Sequence, residues 1–466
     1  MQRLTGLDAA FLSLETPTNH MHVLGVAVLD PSTAPDGFSF ASFKERVAQR
    51  LSQIPPFRRR LVNVPFGLYH PLWVEDPTFD LDYHLRRVGL PAPGGPAELV
   101  ELAGDIAGRP LDRSRPLWEM WYAEGMEHGH VAVVAKIHHC AMDGAGAVEL
   151  MANLFDLEPD PGPDPAPLEA WRPEQVPTDL ETTIGAMVSM ATHPIRMAKA
   201  AGKIARSATR VTRRIRSERV HGGVPFSAPR VSFNGSLTAH RRVAFSSVPL
   251  DDVKLVKNAF DVTVNDVVLA VCTGALRRYL DDGGELPDKP LVATIPVTVR
   301  TEDQQGTMGN RLSAMFTELP THVADPAEQL LAARDVMIGA KQIHDAVDDS
   351  ALQDLSELVT PAFFMPVARF YTQSKLADRH PPIHNVVVSN VPGPRFPIYV
   401  AGAKLMAINP LGPVADGCGL NVTVMSYLDS VSFGLIGCRE LIPALGDIAG
   451  AVPDALADLV KAASTR

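Results

Sequence analysis

The stretch Val131-Ala132-Val133-Val134-Ala135-Lys136-Ile137-His138-His139-Cys140-Ala141-Met142-Asp143-Gly144 decides how this chain is read. Val131 to Ile137 is a near-continuous β-prone run broken only by Lys136, the pattern of a buried strand. It ends in two adjacent histidines. Val148, Leu150, Met151, Leu154 and Phe155 then predict a helix over Ala145 to Leu157. His138 and His139 therefore sit where a strand leaves the core, and Asp143 sits near a helix start. Polar side chains at such a turn reach a cleft without burying backbone groups.

The chemistry fits that position. A neutral imidazole takes a proton from an alcohol near neutral pH, because its reference pKa lies close by. Asp143, four residues after His139, is too constrained for a triad-like contact with it. A role in holding the turn is expected instead, through backbone donors or a cation elsewhere. Two bland readings stand beside this one. The histidines could simply be hydrogen-bonded at a strand end. Two histidines and a carboxylate could also be a metal set. The second is disfavoured because adjacent strand residues point to opposite faces.

Outward from the motif, the amino-terminal part reads as mixed α/β. Strands are predicted over His20 to Leu29, Leu117 to Ala123 and His130 to His138, the last two joined by a turn over Glu124 to Gly129. Phe43, Val47 and Leu51 predict a helix over Phe40 to Ile54. Prolines at 159, 161, 163, 165 and 167 then predict an extended linker over Pro159 to Pro177.

Ile195 to Val220 follows, with nine basic residues against the single acid Glu218, spaced by threes and fours. The last part begins near Val231. Helices are predicted over Leu250 to Phe260, Val264 to Leu280, Pro326 to Ala346 and Ala444 to Ala463. Strands are predicted over Pro290 to Val299, Leu312 to Leu319, Asn385 to Ser389, Ala403 to Asn409 and Leu420 to Ile436, the last broken by a hairpin near Asp429. Two α/β halves joined by a long crossover are the simplest architecture. Their expected bounds are 1–158 and 231–466, with 159–230 as linker and crossover helix.

The chain has 466 residues, 46% hydrophobic and 21% charged, ordinary globular composition with room for two or three domains. A formal net charge of -10 gives no support for nucleic-acid binding. Cys140, Cys272, Cys418 and Cys438 form no C-x-x-C pair, which argues against a zinc ribbon or a disulfide scaffold and for a reducing compartment. Met1 to Glu15 lacks the basic and apolar regions of a secretory signal, and no apolar stretch of about 18 residues predicts a membrane span. Membrane contact is expected to be peripheral at most.

With these residues in view, His138 to Gly144 resembles the His-His-x-x-x-Asp-Gly motif of chloramphenicol acetyltransferase-like enzymes. Within that group the chain resembles the bacterial wax ester synthase/diacylglycerol acyltransferases, including the mycobacterial-type triacylglycerol synthases. Further segments carry the likeness: Leu7 to Leu12 with Met21-His22-Val23, Pro55 to Leu61, Pro116 to Glu119, Val264 to Ala270, Pro296 to Arg300, Gly309-Asn310 and Ser389 to Pro394. The resemblance covers nearly the whole chain and is specific for the family, not for the substrate.

The resemblance implies two α/β halves with the active site in a channel between them. There an acyl group passes from acyl-CoA to diacylglycerol, to a long-chain alcohol, or to both. His139 would be the general base, with His138, Asp143 and Gly144 completing the motif. Asn265, followed by Asp266, would be a polar contributor from the second half; Asn265 also reads as a helix N-cap. Acyl-CoA is a co-substrate, and no cofactor or metal is implied. No Gly-x-Ser-x-Gly elbow is present, so direct attack on the thioester is expected rather than an acyl-enzyme.

Ser389 to Pro394 reads as turn chemistry around Gly393, and Trp118 as core packing. Ile195 to Val220 reads equally as a docking surface for anionic lipid and as a solvated crossover helix. The implied location is cytoplasmic, with peripheral contact at the inner membrane face or a lipid droplet. Two other functions stay open: a catalytically weak lipid-binding protein of the same fold, and an acyltransferase that uses a carrier-protein thioester.

Overall fold

The structure, a computed structural model, describes residues 1–142, 144–162, 174–191, 202–203, 206, 223–298, 310, 312–346 and 356–466. The amino-terminal half runs β1 (Gln2–Arg3), α1 (Gly6–Leu14), β2 (His22–Asp30), α2 (Phe40–Arg50), β3 (Arg59–Val62), β4 (Leu72–Glu75), β5 (Leu85–Gly89), α3 (Pro96–Ala107), β6 (Trp118–Glu124), β7 (Val131–His138) and α4 (Gly144–Leu154). After α5 (Asp179–Ala191) come β8 (Arg241–Pro249), α6 (Leu250–Phe260), α7 (Val264–Asp282), β9 (Leu291–Thr298), β10 (Leu312–Leu319), α8 (Pro326–Ala346) and α9 (Pro361–Gln373). The chain ends with β11 (Val386–Val391), β12 (Tyr399–Val400), β13 (Ala403–Leu411), β14 (Leu420–Tyr427), β15 (Ser430–Cys438) and α10 (Leu445–Ser464).

Two six-stranded sheets organise these elements, in the orders β12-β13-β2-β7-β6-β5 and β10-β9-β11-β14-β15-β8, beside a small sheet β1-β4-β3. The first sheet does not belong to one half of the sequence. β13 lies antiparallel to β2, with Leu405 opposite Leu29 and Leu411 opposite Leu24. Late chain thus completes the sheet that carries β7. The second sheet packs beneath α7 and α10, whose faces bury Val268, Leu276, Leu456 and Leu459 with Phe433 and Leu435. That apolar layer makes the carboxyl-terminal half a core of its own.

Several sequence expectations shift by a turn. The α2 helix stops at Arg50 and continues as a 3-10 turn over Leu51–Gln53, because Pro55 disfavours helical geometry just before it. The run at Pro159 to Pro177 lies largely outside the described residues, as does Ile195 to Val220 apart from residues 202, 203 and 206. Helices α1, α3, α5 and α9 and strands β1, β3, β4, β5, β8 and β12 were not expected. In α3, Pro96 at the first turn is compatible with a helix, and Glu98 closes the start by accepting from Gly95 N at 2.8 Å. Strand β8 carries Arg241, Arg242, Ser246 and Ser247, which hide its alternation.

Candidate active site

The β7 strand delivers the histidine pair. It is a central strand, between β2 and β6, and Val134, Ala132 and Ile137 are buried along it. Lys136, the one charge in the run, is buried too. Its Nζ donates to Ile106 O at 3.2 Å and Arg109 O at 3.1 Å, satisfying carbonyls at the end of α3. Burial lowers its pKa to about 8.

The two histidines face different surroundings. His138 is fully buried, and its Nδ1 accepts from Cys140 N at 3.1 Å. That leaves the ring proton on Nε2, which lies 3.6 Å from Glu15 Oε2. The Nε2 of His22 lies 3.5 Å from the other oxygen of Glu15. Arg113 completes the cluster, its Nε donating to Glu15 at 2.7 Å and its Nη2 to Leu12 O at 2.7 Å. Burial raises the Glu15 pKa, but the two imidazoles and the Arg113 charge outweigh it and hold the carboxyl well below its usual range. Burial lowers the pKa of His138, and brings that of His22 to about 3, so both stay neutral at pH 7.

His139, by contrast, is half-buried and stacks on Phe11 of α1, with ring centroids 4.2 Å apart. Its backbone is held from two sides. His139 N donates to Met21 O at 2.7 Å. Its carbonyl accepts from Asn310 Nδ2 at 2.6 Å, across from the carboxyl-terminal half. The same amide donates to Asp8 Oδ1 at 2.5 Å, and Asn310 N donates to that oxygen at 3.1 Å. Burial raises the Asp8 pKa to about 6, against the bonds from Asn310 and Thr5. A cleft opens beside this turn, bordered by Arg3, Asp8, Arg59, Trp73 and Cys140.

Asp143 lies outside the described residues, and Gly144 opens α4. The N-cap reading of Asn265 is corrected. The cap of α7 is Thr263, whose hydroxyl accepts from Asp266 N at 3.2 Å while the Asp266 carboxylate accepts from Thr263 N at 2.9 Å. Asp266 is thereby the buried half of a capping box. The sequence signal for this cap is the Thr-x-x-Asp spacing of Thr263 and Asp266. Asn265 is left half-buried, its Oδ1 accepting from Asn390 Nδ2 at 3.5 Å. That contact joins two segments of the resemblance, since Asn390 lies in the Ser389 to Pro394 run.

Gly393 serves close approach rather than a positive φ, because a Cβ there would stand 2.0 Å from Ser426 O. Trp118 is core, stacked between Phe57 at 4.2 Å and His84 at 4.5 Å. Sequence reasoning gave no role to Glu15, Arg113, Asp8 or Phe11. Asp8 and Phe11 lay inside a quoted signature, but their partners are far along the chain. Among the described residues no group of three or more His, Cys, Asp or Glu could hold a metal ion. No single helix there is long and apolar enough to cross a membrane.

Two six-stranded sheets, the first completed by β13 from the late chain, with a histidine-bearing turn held from both halves, define the fold of the chloramphenicol acetyltransferase-like acyltransferases. The first condensation domain of the calcium-dependent antibiotic synthetase shares that fold at a TM-score of 0.59 and 14% identity, over 99% of this chain and 96% of that one. The chain belongs to the wax ester synthase/diacylglycerol acyltransferase family: residues 4–268 match its catalytic domain and 308–460 its C-terminal domain.

A protein of Mycobacterium tuberculosis (strain CDC 1551 / Oshkosh) named as a diacylglycerol O-acyltransferase is 39% identical over 99% of this chain and 90% of its own. The wax ester synthase/diacylglycerol acyltransferase of Marinobacter aquaeolei VT8 matches at a TM-score of 0.70 and 31% identity, over 100% of both chains. The expected fold and family both hold, and the chain is an O-acyltransferase.

Proposed function

We propose that this chain transfers a long-chain acyl group from acyl-CoA to diacylglycerol, a long-chain alcohol, or both, with His139 as the general base. The observation that carries the reading is the clamp on His139: its carbonyl is held by Asn310 and its ring rests on Phe11. A base held this way is half-buried yet beside a cleft, positioned before substrate arrives. The imidazole takes the proton of the acceptor hydroxyl as the oxygen attacks the thioester carbonyl. The tetrahedral intermediate collapses, the C–S bond breaks, and the thiolate leaves with the proton carried by His139. The products are an ester and free CoA.

Cys140, next to the base, is not a rival nucleophile. It is buried, and burial raises its thiol pKa well above the ordinary value. His138 serves the turn from beneath, through Cys140 N and Glu15. Asn265 stands as the polar contributor from 231–466, and Asp143 as a support of the turn. The basic run 195–220 supplies charge for docking on anionic lipid.

The test is labelled palmitoyl-CoA with either diacylglycerol or hexadecanol, beside His139→Ala. Ester formed by wild type, and reduced about 10²–10⁴-fold in the variant, is expected. Equal turnover by both proteins would remove His139 from the chemistry. Charge reversal at Arg206, Arg210 and Arg213 should release the protein from anionic vesicles, and unchanged binding would remove the basic run from the docking role.

A further inference from the structure

Helix α5 is inverted relative to a helix packed on a water-soluble core. Its covered face is small and polar, with Thr182 and Ala186 buried. Its outward face carries Leu180, Ile184, Met187 and Val188, at the i, i+4, i+7, i+8 spacing that ordinarily marks a core stripe, and Met187 is 62% exposed. Helix α9 repeats the pattern: Phe363, Val367 and Phe370 are all exposed, at i, i+4 and i+7. Both helices pack on the single turn Pro65–Gly67. At its tip Phe66 is 90% exposed and takes a positive φ of 57°. Three segments far apart in sequence thus bring bulky apolar side chains to neighbouring surface, a larger apolar exposure than scattered single residues would give.

The charges around this face are informative. Helix α5 carries only Asp179 and Glu181, both in its first turn, with no charge from Thr182 to Ala191, and α9 carries only Arg369. The chain that continues from α5 is the basic run 195–220. An apolar helix face followed in sequence by clustered cations complements a surface with an apolar interior and anionic headgroups. The face also adjoins the site. A methyl built on Gly185, on the inner side of α5, would lie 3.6 Å from the Arg3 guanidinium. Arg3 borders the cleft that reaches Cys140 and Ala141, next to His139. Helix α9 packs on α1, which supplies Asp8 and Phe11.

We propose that α5, Phe66 and α9 form the lipid-facing surface, which seats the protein on an anionic phospholipid membrane with the catalytic cleft next to it. Its purpose, though not the binding itself, rests on the acyl-transfer reading: a water-insoluble acceptor would enter from the surface that dissolves it.

The four native cysteines are free and buried, so single exposed cysteines can be labelled with an environment-sensitive fluorophore. Phe66→Cys, Val188→Cys and Phe370→Cys, on the full chain without acyl-CoA, should shift to the blue with phosphatidylcholine/phosphatidylglycerol vesicles. Asp251→Cys, on α6, should not. Partition of Ile184→Ser/Met187→Ser/Val188→Ser and of Phe363→Ser/Phe370→Ser onto the same vesicles should fall about tenfold or more. Transfer to a short, water-soluble alcohol should stay at the wild-type rate.

Unshifted fluorescence at all three sites, or unchanged partition of both serine variants, would overturn the proposal. So would a wild-type dimer that the serine variants break with vesicle binding intact, since the face would then belong to a second copy. Vesicle binding is read without turnover, so loss of the acyl-transfer reading would show separately.

Discussion

The amide of Asn310 bridges Asp8 Oδ1 at 2.5 Å and the carbonyl of His139 at 2.6 Å, so one side chain from the second half fixes both the first helix and the proposed base. A donor so placed acts on the backbone of the base, not on substrate, which makes Asn310 a positioning residue.

Removing that donor should therefore cost turnover more than binding. For Asn310→Ala we expect kcat to fall roughly 3–10-fold, the worth of one hydrogen bond, with the KM for acyl-CoA little changed. Steady-state kinetics on both substrates checks this. A rise in KM with unchanged kcat would place Asn310 at a binding surface instead.

Asp8 and Glu15 flank the same turn and should respond oppositely to pH. Burial raises the Asp8 pKa from 3.8 to about 6. Its folded form thus holds the proton more tightly than the unfolded chain, and the stability this gives is present below pH 3.8 and lost as pH rises through about 6. Asp8→Asn should gain on wild type, by on the order of 2 kcal/mol, in denaturant melts taken at pH 7.5 rather than pH 4.5.

Glu15 is held below its ordinary 4.5, so its contribution is present above that value and fades as pH falls below it. Glu15→Gln should be destabilised near neutrality, with the deficit shrinking in acid. A deficit that does not change with pH would mean that charge plays no part in the cluster.

The histidine turn was legible because β7 is buried on both faces and reads as an apolar run, and because the motif is contiguous. The helix over Val264 to Leu280 was legible by its apolar pattern, though it runs on to Asp282, and its cap could have been read from Thr263 and Asp266. The pairing of β13 with β2 was not legible, since β13 shows alternation but nothing in it names a partner strand in the other half. Asn310 and Asp8 are 302 positions apart, and Arg113 and Glu15 are 98 apart. Contacts of this kind leave no periodicity to read. Helix α9 was hidden for another reason: Pro366 lies inside it and its apolar stripe faces out.

Where the two sheets cross, glycine is required. Gly434 lies on β15, and a Cβ there would stand 1.9 Å from Pro410 O on β13. The obstruction is backbone, so no side chain can move aside. Gly434→Ala should lose about 1–3 kcal/mol or more through displaced strands, seen as a lower Tm. An unchanged Tm would show that the sheets separate easily at this point.

Asp156 gives the last prediction. It is buried just after α4 and accepts from Arg46 Nε at 3.1 Å and Arg50 Nη2 at 2.8 Å. Its backbone exchanges bonds with Tyr399 at 2.7 and 2.8 Å, which ties the end of the first half to β12. Asp156→Ala leaves the backbone bridge possible but takes from both guanidiniums the carboxylate they share, so a loss of about 3–5 kcal/mol is expected. Arg46→Met combined with Asp156→Leu removes Asp156 together with the more buried of its two guanidiniums, and should lose less than Asp156→Ala alone, because a buried charge that loses a partner costs more than the missing attraction. A double variant as unstable as the single changes would instead show that the ion pair itself holds β12 in place.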